Sequence, residues 1–205
     1  MLKWLKTSGY YTQRKNLKMK KIVLASLMSL FAFSASAAEV RFEGQNANGQ
    51  SGTADQRVFE LGVKESFTNN LAGDLVVKNY QTDNTNALTT RIEAGATASQ
   101  TFNAGVAVTP YVRGAVGEKF VSGSSSFSYY SVEPGVSAAL GNGVSASLGW
   151  RFQDAFSDTR NDQTRTWRAK LGYDIAKNST VYVGYDVQRG DSNQNIVKAG
   201  FVQRF

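Results

Sequence analysis

The chain contains no cysteine and no histidine, and its two prolines are Pro110 and Pro134. Without cysteine no disulfide can form, and without histidine neither a Ser-His-acid triad nor a Cys-His pair can be built. The sequence has no nucleotide-binding glycine fingerprint, and its carboxylates are too scattered to favour a metal site. A Ser-Lys or paired-carboxylate mechanism stays open on residue types alone. We therefore expect no enzymatic activity, no cofactor and no metal.

The formal net charge of +7 is unevenly placed along the chain. Residues 1–37 carry seven basic side chains and no acidic one: Lys3, Lys6, Arg14, Lys15, Lys18, Lys20 and Lys21. The remaining residues hold sixteen basic and sixteen acidic side chains, so they are neutral overall. A basic surface for nucleic acid is therefore not expected.

The basic N-terminal part has the order of a secretory leader. Lys20 and Lys21 precede an apolar run over 22–33, and Ala35-Ser36-Ala37 follows it. A positive region, a short apolar region and a small-x-small site define a signal peptide, and the run is too short to span a bilayer. We predict a signal peptide over 19–37 with cleavage after Ala37; a buried core helix is the alternative. Residues 1–18 are expected to be an upstream extension, with Met19 as the true start; a functional extension of the leader, with Met1 as the start, is the alternative.

Apolar and polar residues alternate through most of residues 38–205, and such a period of two indicates strands with one apolar and one polar face. Ten segments show it: about 39–46, 56–67, 71–81, 87–99, 104–119, 126–140, 143–154, 164–176, 180–189 and 194–205. The pattern predicts an all-β fold, a closed up-and-down antiparallel transmembrane β-barrel of about ten strands, with eight or twelve as alternatives. A soluble β-sandwich would alternate as well.

The connections between these segments fall into two groups. Tight turns are predicted at Asn69-Asn70, Gly141-Asn142-Gly143 and Lys177-Asn178-Ser179. Longer polar loops are predicted near 46–55, 82–86, 120–126, 155–163 and 189–194. Short turns at one rim and longer loops at the other are typical of outer-membrane barrels.

We assign the apolar face to lipid and the charged face to the lumen. Aromatic residues expected at the two membrane interfaces are Phe59, Tyr130, Trp150, Phe152, Trp167, Tyr173, Tyr185 and Phe205, with Phe67 beside them. Candidate pore-lining residues are Arg91, Arg113, Arg151, Arg168, Lys170, Glu60, Glu93, Glu133 and Asp186. On the whole predicted inner face ten basic side chains stand against seven acidic ones.

The end of the chain resembles a known pattern. Lys198-x-Gly200-x-x-Gln203-x-Phe205 resembles the C-terminal assembly signal of bacterial outer-membrane proteins, with Gln203 at a position that is usually apolar. That resemblance implies a bacterial outer-membrane location, contact with lipid and lipopolysaccharide, and recognition of the last strand by the barrel assembly machinery.

Two internal segments carry a second resemblance. Residues 130–136 (YSVEPGV) and 149–154 (GWRFQD) are similar to strands of small monomeric porins of the KdgM type. Such porins pass acidic oligosaccharides through an arginine-lined lumen, so the resemblance implies a porin-like barrel.

Two interpretations of the inner charges remain open. They form either a mutually neutralising network that fills the lumen, or the lining of a narrow pore whose three excess cations favour anions. We predict a narrow channel that passes small hydrophilic solutes with a mild preference for anions. The residues expected to set this preference are Arg113, Arg151, Arg168 and Lys170. The alternative is a non-conducting barrel that serves as a scaffold or binds a partner.

Overall fold

A computed structural model describes residues 39–83, 88–103, 105–157, 159–160 and 162–205. The predicted extension over 1–18 and signal peptide over 19–37 lie outside these residues, as do residues 87 and 104, the expected starts of the fourth and fifth segments. Within the described ranges every regular element is a β-strand. No helix in those ranges is long and apolar enough to cross a bilayer.

Eleven strands make up the fold, ten of them long and one of two residues. They are β1 Glu39–Gln50, β2 Gln56–Ser66, β3 Leu71–Thr82, β4 Leu88–Ser99, β5 Phe102–Asn103, β6 Ala107–Val121, β7 Phe127–Gly141, β8 Val144–Ala155, β9 Thr164–Ala176, β10 Ser179–Gly190 and β11 Asn193–Arg204. The alternation of apolar and polar residues thus locates all ten long strands.

The ten long strands form a closed barrel. Each pairs antiparallel with its neighbours along the chain, and β1 pairs with β11 from Glu39↔Arg204 to Gln50↔Asn193. β4 pairs directly with β6, so the short β5 is an addition beside β6 and not a member of the barrel wall. Closure gives each of the ten long strands a partner on both sides, which is what a sheet in hydrocarbon requires. The predicted barrel of ten strands is confirmed.

Two of the connections predicted as longer polar loops, near 46–55 and 189–194, are shorter than expected and cover residues 51–55 and 191–192. β1 continues to Gln50 because Ser51 and Gly52 adopt positive φ values of 54° and 86°, and the Thr53 amide donates to the Gln50 carbonyl at 3.1 Å. Positive φ at both central residues matches the right-handed strand twist and allows a tight hairpin. At the same rim β10 ends at Gly190 and β11 begins at Asn193, so residues 191–192 alone connect them.

The connections at the opposite rim are mostly the tight turns that the sequence predicted. Asn142 and Gly143 have φ values of 52° and 77°, as a two-residue hairpin of the primed type requires, and they join β7 to β8. The segment between β4 and β6 differs, because Phe102 and Asn103 pair with Val108 and Ala107 in a small hairpin. That hairpin moves the start of the next wall strand from the expected 104 to Ala107.

The outer face of the barrel is apolar. Aliphatic side chains that a soluble protein would bury are about half exposed there: Val112, Val116, Leu148, Leu171, Val183 and Val197. Outward charged side chains of the described strands, such as Arg57, Glu65, Arg165 and Arg189, lie close to strand ends. An uncharged belt between two polar rims fits a bilayer core and not a soluble sandwich.

Candidate functional site: the barrel lumen

A band of paired charges crosses the middle of the lumen. Every long strand contributes to it, and it holds six basic and six acidic side chains: Arg41, Lys78, Arg113, Arg151, Arg168 and Lys198 with Glu43, Glu60, Asp74, Glu93, Glu133 and Asp186. Equal numbers of each sign make this central band neutral. Most of its members are buried, and buried charges must be paired or bonded to be tolerated.

One group within the band surrounds Glu60, whose side chain is 1% exposed. Its Oε1 accepts from Arg41 Nη2 at 2.5 Å, and its Oε2 lies 2.5 Å from Lys78 Nζ. The neighbouring Glu43 makes no ion pair with a described cation and is held by hydrogen bonds. Tyr182 donates to Glu43 Oε2 at 2.6 Å and Gln45 donates to Oε1 at 2.5 Å.

A second group surrounds Glu93. Arg113 Nη1 lies 2.7 Å from Glu93 Oε1, and Arg151 Nη2 lies 2.5 Å from Oε2, which also accepts from the Tyr129 hydroxyl at 3.0 Å. Arg113 uses its Nε and Nη2 atoms for a bidentate bond to Asp74, at 2.9 and 2.5 Å. Bidentate guanidinium–carboxylate pairs fix geometry as well as charge, so β3, β4, β6 and β8 are tied together here.

The third group is built around Arg168. Its Nη1 donates to Glu133 Oε2 at 2.6 Å, and its Nε donates to Asp186 Oδ2 at 3.3 Å. Lys198 Nζ approaches Asp186 at 2.7 Å from β11, while the Tyr111 hydroxyl donates to Glu133 Oε1 at 3.3 Å. The chain of contacts therefore runs along the wall from β6 to β11.

The ion pairs of the central band mostly join nearby strands. Diametrically opposite strands of a ten-stranded ring are five positions apart, yet most ion pairs of the central band join strands one or two positions apart. The longest ion pair within the band, from Arg151 to Glu93, spans three positions. Among the described residues, no ion pair of the central band therefore joins strands on opposite sides of the barrel.

Three inward tyrosines lie against the wall for a steric reason. Tyr111, Tyr129 and Tyr182 each stand directly opposite a glycine on the next strand, in the pairs Tyr111↔Gly135, Tyr129↔Gly117 and Tyr182↔Gly200. A Cβ at any of the three glycines would collide with the facing ring, at 2.3 to 2.7 Å from a ring or hydroxyl atom. The missing side chains let the rings lie along the wall, where their hydroxyls reach carboxylates of the central band.

The loop rim holds a smaller group that includes a loop residue. Asp162 is 5% exposed and turns into the lumen, where Lys119 Nζ lies 2.7 Å from its Oδ1 and Gln153 donates to its Oδ2 at 2.7 Å. Arg91 Nη2 lies 3.6 Å from Asp162 Oδ1. Sequence reasoning missed Asp162 because it lies in the aperiodic connection before β9, and it missed Lys119 because that lysine sits at a strand end.

Two polar chambers lie on either side of the central band. The chamber toward the short turns has a volume of about 300 Å³, and the one toward the loops about 340 Å³. Lys78, Glu93, Arg151 and Arg168 line both chambers, so these band residues lie between the two. No group of three or more carboxylates among the described residues is arranged to hold a metal ion.

All nine predicted pore-lining residues lie on the chamber walls. Glu60, Arg113, Glu133 and Lys170 line the turn-side chamber, Arg91 and Asp186 line the loop-side chamber, and Glu93, Arg151 and Arg168 line both. The structure places most of them in ion pairs, which sequence reasoning did not specify. Their role in passage stays a prediction.

The predicted interface aromatics lie on the outer face. Near the loops, Tyr130 packs against Phe152 and Phe156 with ring centroids 6.1 and 5.2 Å apart. Trp150 stands opposite Trp167, and Phe59 lies toward the loop end of β2. Tyr173 and Phe205 lie at the turn rim, as does the exposed Phe67 of the β2–β3 turn, whereas Tyr185 lies near the middle of β10. An interfacial role for these rings stays a prediction.

A closed ten-stranded barrel with an apolar belt and a charged lumen defines the class of porin-like transmembrane β-barrels. No protein-family model matches the chain, and no curated protein matches it. The predicted resemblance to KdgM-type barrels is confirmed as a likeness to solved structures.

Among the solved structures, the KdgM porin is 14% identical, with a TM-score of 0.49 over 82% of this chain and 99% of that one. The NanC porin is 10% identical, with a TM-score of 0.49 over 81% and 100%. Neisserial surface protein A is 13% identical, with a TM-score of 0.43 over 82% and 95%. These likenesses concern the fold.

Proposed function

We propose that this protein is a narrow channel of the bacterial outer membrane for small hydrophilic solutes, with a mild preference for anions. The observation that carries the proposal is the pair of polar chambers on either side of the central band, a band in which no described ion pair joins strands on opposite sides of the barrel. Carboxylates bound by cations are also poorly placed to act as general acids or bases.

Chamber size limits the solute. A volume of about 300 Å³ corresponds to roughly ten water molecules at about 30 Å³ each. A solute that passes must shed part of its hydration and exchange it for the hydroxyl and charged groups of the wall. We therefore expect passage of small metabolites and exclusion of larger oligomers.

The proposal includes assembly and location. Export by the predicted signal peptide would deliver residues 38–205 to the periplasm, and the last strand, which closes the barrel against β1, would be read by the barrel assembly machinery. Phe205 is 77% exposed at the turn rim. Its ring would contact the assembly machinery during insertion and lipid once the barrel has folded. Lipid and lipopolysaccharide are then the surroundings of the apolar belt.

Liposome swelling with solutes of graded size tests the channel. Proteoliposomes carrying the folded barrel should swell faster than empty ones in small sugars and sugar acids, with a sharp size limit. Ser147→Trp, which points a large ring into the turn-side chamber, should slow the swelling. Ala146→Trp on the lipid face of the same strand is its matched control and should leave the rate unchanged. A folded barrel that accelerates swelling for no solute would overturn the proposal and favour a scaffold.

A further inference from the structure

The excess positive charge of the lumen is not in the central band. Outside the band, two basic side chains and one acidic side chain line the turn-side chamber, whereas two basic and two acidic side chains line the loop-side chamber. The central band itself is balanced. An anion that enters the barrel therefore meets most of the uncompensated charge on the turn side.

Lys64 and Lys170 are the source of much of this excess. Both are half-buried, both line the turn-side chamber, and neither makes an ion pair with a described carboxylate. The ladder neighbours of Lys64 are Glu39 and Asp74, but these carboxylates pair with Arg204 and Arg113. The two ammonium groups thus keep hydrogen-bonding capacity for a solute.

Lys170 is held in place without being neutralised. Its Nζ lies 4.4 Å from the centroid of the Tyr182 ring, a cation–π contact, and the Tyr182 hydroxyl donates to Glu43. The ring carries no net charge, so the contact orients the amino group without placing a carboxylate against it.

The rest of the turn-side chamber offers neutral donors. Hydroxyl groups from four consecutive wall strands line it: Thr97, Ser99, Thr109, Ser137 and Ser147. A hydroxyl can rotate to donate to an oxyanion or accept from water, so such a surface holds a small anion without trapping it. The ammonium group of a lysine is a compact charge whose three N–H donors can rotate. It can therefore bind oxyanions of different shapes.

We propose that Lys64 and Lys170 form a binding station for small oxyanions, carboxylates or phosphates, inside the turn-side chamber. This inference rests on the proposed channel function. The station sets the anion preference of the channel, whereas the paired arginines Arg113, Arg151 and Arg168 shape the passage. The two lysines thus replace the arginines as the residues that choose the sign of the solute.

Reversal potentials across a planar bilayer under a potassium chloride gradient test the station. The wild-type barrel should prefer chloride, and the double variant Lys64→Gln with Lys170→Gln should lose about half or more of that preference. Lys177→Gln with Arg189→Gln removes the same charge from outside the lumen and is the matched control. Its preference should stay at the wild-type value.

Block of the potassium chloride current gives a second readout. Inorganic phosphate and gluconate, added in separate experiments, should reduce the wild-type current more from one face than from the other. The asymmetry should vanish in the double lysine variant, and the two probes together distinguish phosphate from carboxylate solutes. A conducting double variant with unchanged selectivity and block would overturn the station alone. A wild-type barrel without conductance would overturn the proposed function itself.

Discussion

At the scale of single residues, the lumen depends on carboxylates that each hold several partners. Glu93 shows this most clearly, because it is 3% exposed and contacts Arg113, Arg151 and Tyr129. Neutralising such a group leaves two guanidinium groups with weaker partners in a poorly hydrated band. The cost of removing one member of a buried pair exceeds the value of the pair, since the remaining charge stays buried.

We therefore expect Glu93→Gln to lower the free energy of unfolding by about 2–3 kcal/mol. Urea unfolding of the barrel refolded in lipid vesicles measures this. Glu65→Gln is the control, since Glu65 lies on the outer face near the turn end of β2 and should cost almost nothing. Equal effects of the two substitutions would show that the pairing around Glu93 contributes little to stability.

Sequence reasoning could assign these charges to one face but could not pair them. A period of two shows which side chains share a face, whereas Arg151 and Glu93 are separated by 58 residues and meet only through barrel closure. The neutrality of the central band was hidden for the same reason. The sequence showed an excess of inner cations, but it could not show that Lys64 and Lys170 lie outside the central band, in the turn-side chamber.

At the scale of the strand, glycines opposite tyrosines set the shape of the wall. Gly117 on β6 is covered by the Tyr129 ring of β7, and an added Cβ would lie 2.7 Å from that ring and from the Ile92 carbonyl. Gly114 on the same strand has no atom within 4 Å of its hypothetical Cβ. The two glycines therefore provide a matched pair of positions.

Gly117→Ala should destabilise the barrel by about 1–3 kcal/mol through overpacking, while Gly114→Ala should be tolerated. Vesicle-based unfolding in urea measures both. In a double-mutant cycle, Gly117→Ala should cost less in a Tyr129→Ala background than in the wild type, because the ring contact is then absent and only the carbonyl contact remains. If the two alanine variants behaved alike, the cross-strand contact would have no structural role.

Strand positions were predictable because alternation extends through each strand, but some ends were not. The second half of β1 reads Asn46 to Gln50 without an apolar phase, so it resembled a loop. The β5 hairpin and the inward turn of Asp162 left no periodic signal either. Polar segments are thus assigned by their turn geometry and tertiary partners, which a pattern of hydrophobicity does not contain.

At the scale of the whole molecule, the barrel has three regions that differ in charge. An uncharged belt faces outward, a neutral band of ion pairs ties the strands together at mid-height, and unpaired cations lie in the turn-side chamber. The band joins neighbouring strands to one another and so adds rigidity to the wall. A passive route for small solutes is the function that we propose for this arrangement.

Single-channel recording of the refolded protein in planar bilayers tests that route most directly. We expect discrete, long-lived conductance steps that persist at low voltage and shrink in the Ser147→Trp variant but not in Ala146→Trp. Bilayers that remain silent after insertion of a folded barrel, verified by its heat-modifiable mobility in gels, would contradict the account.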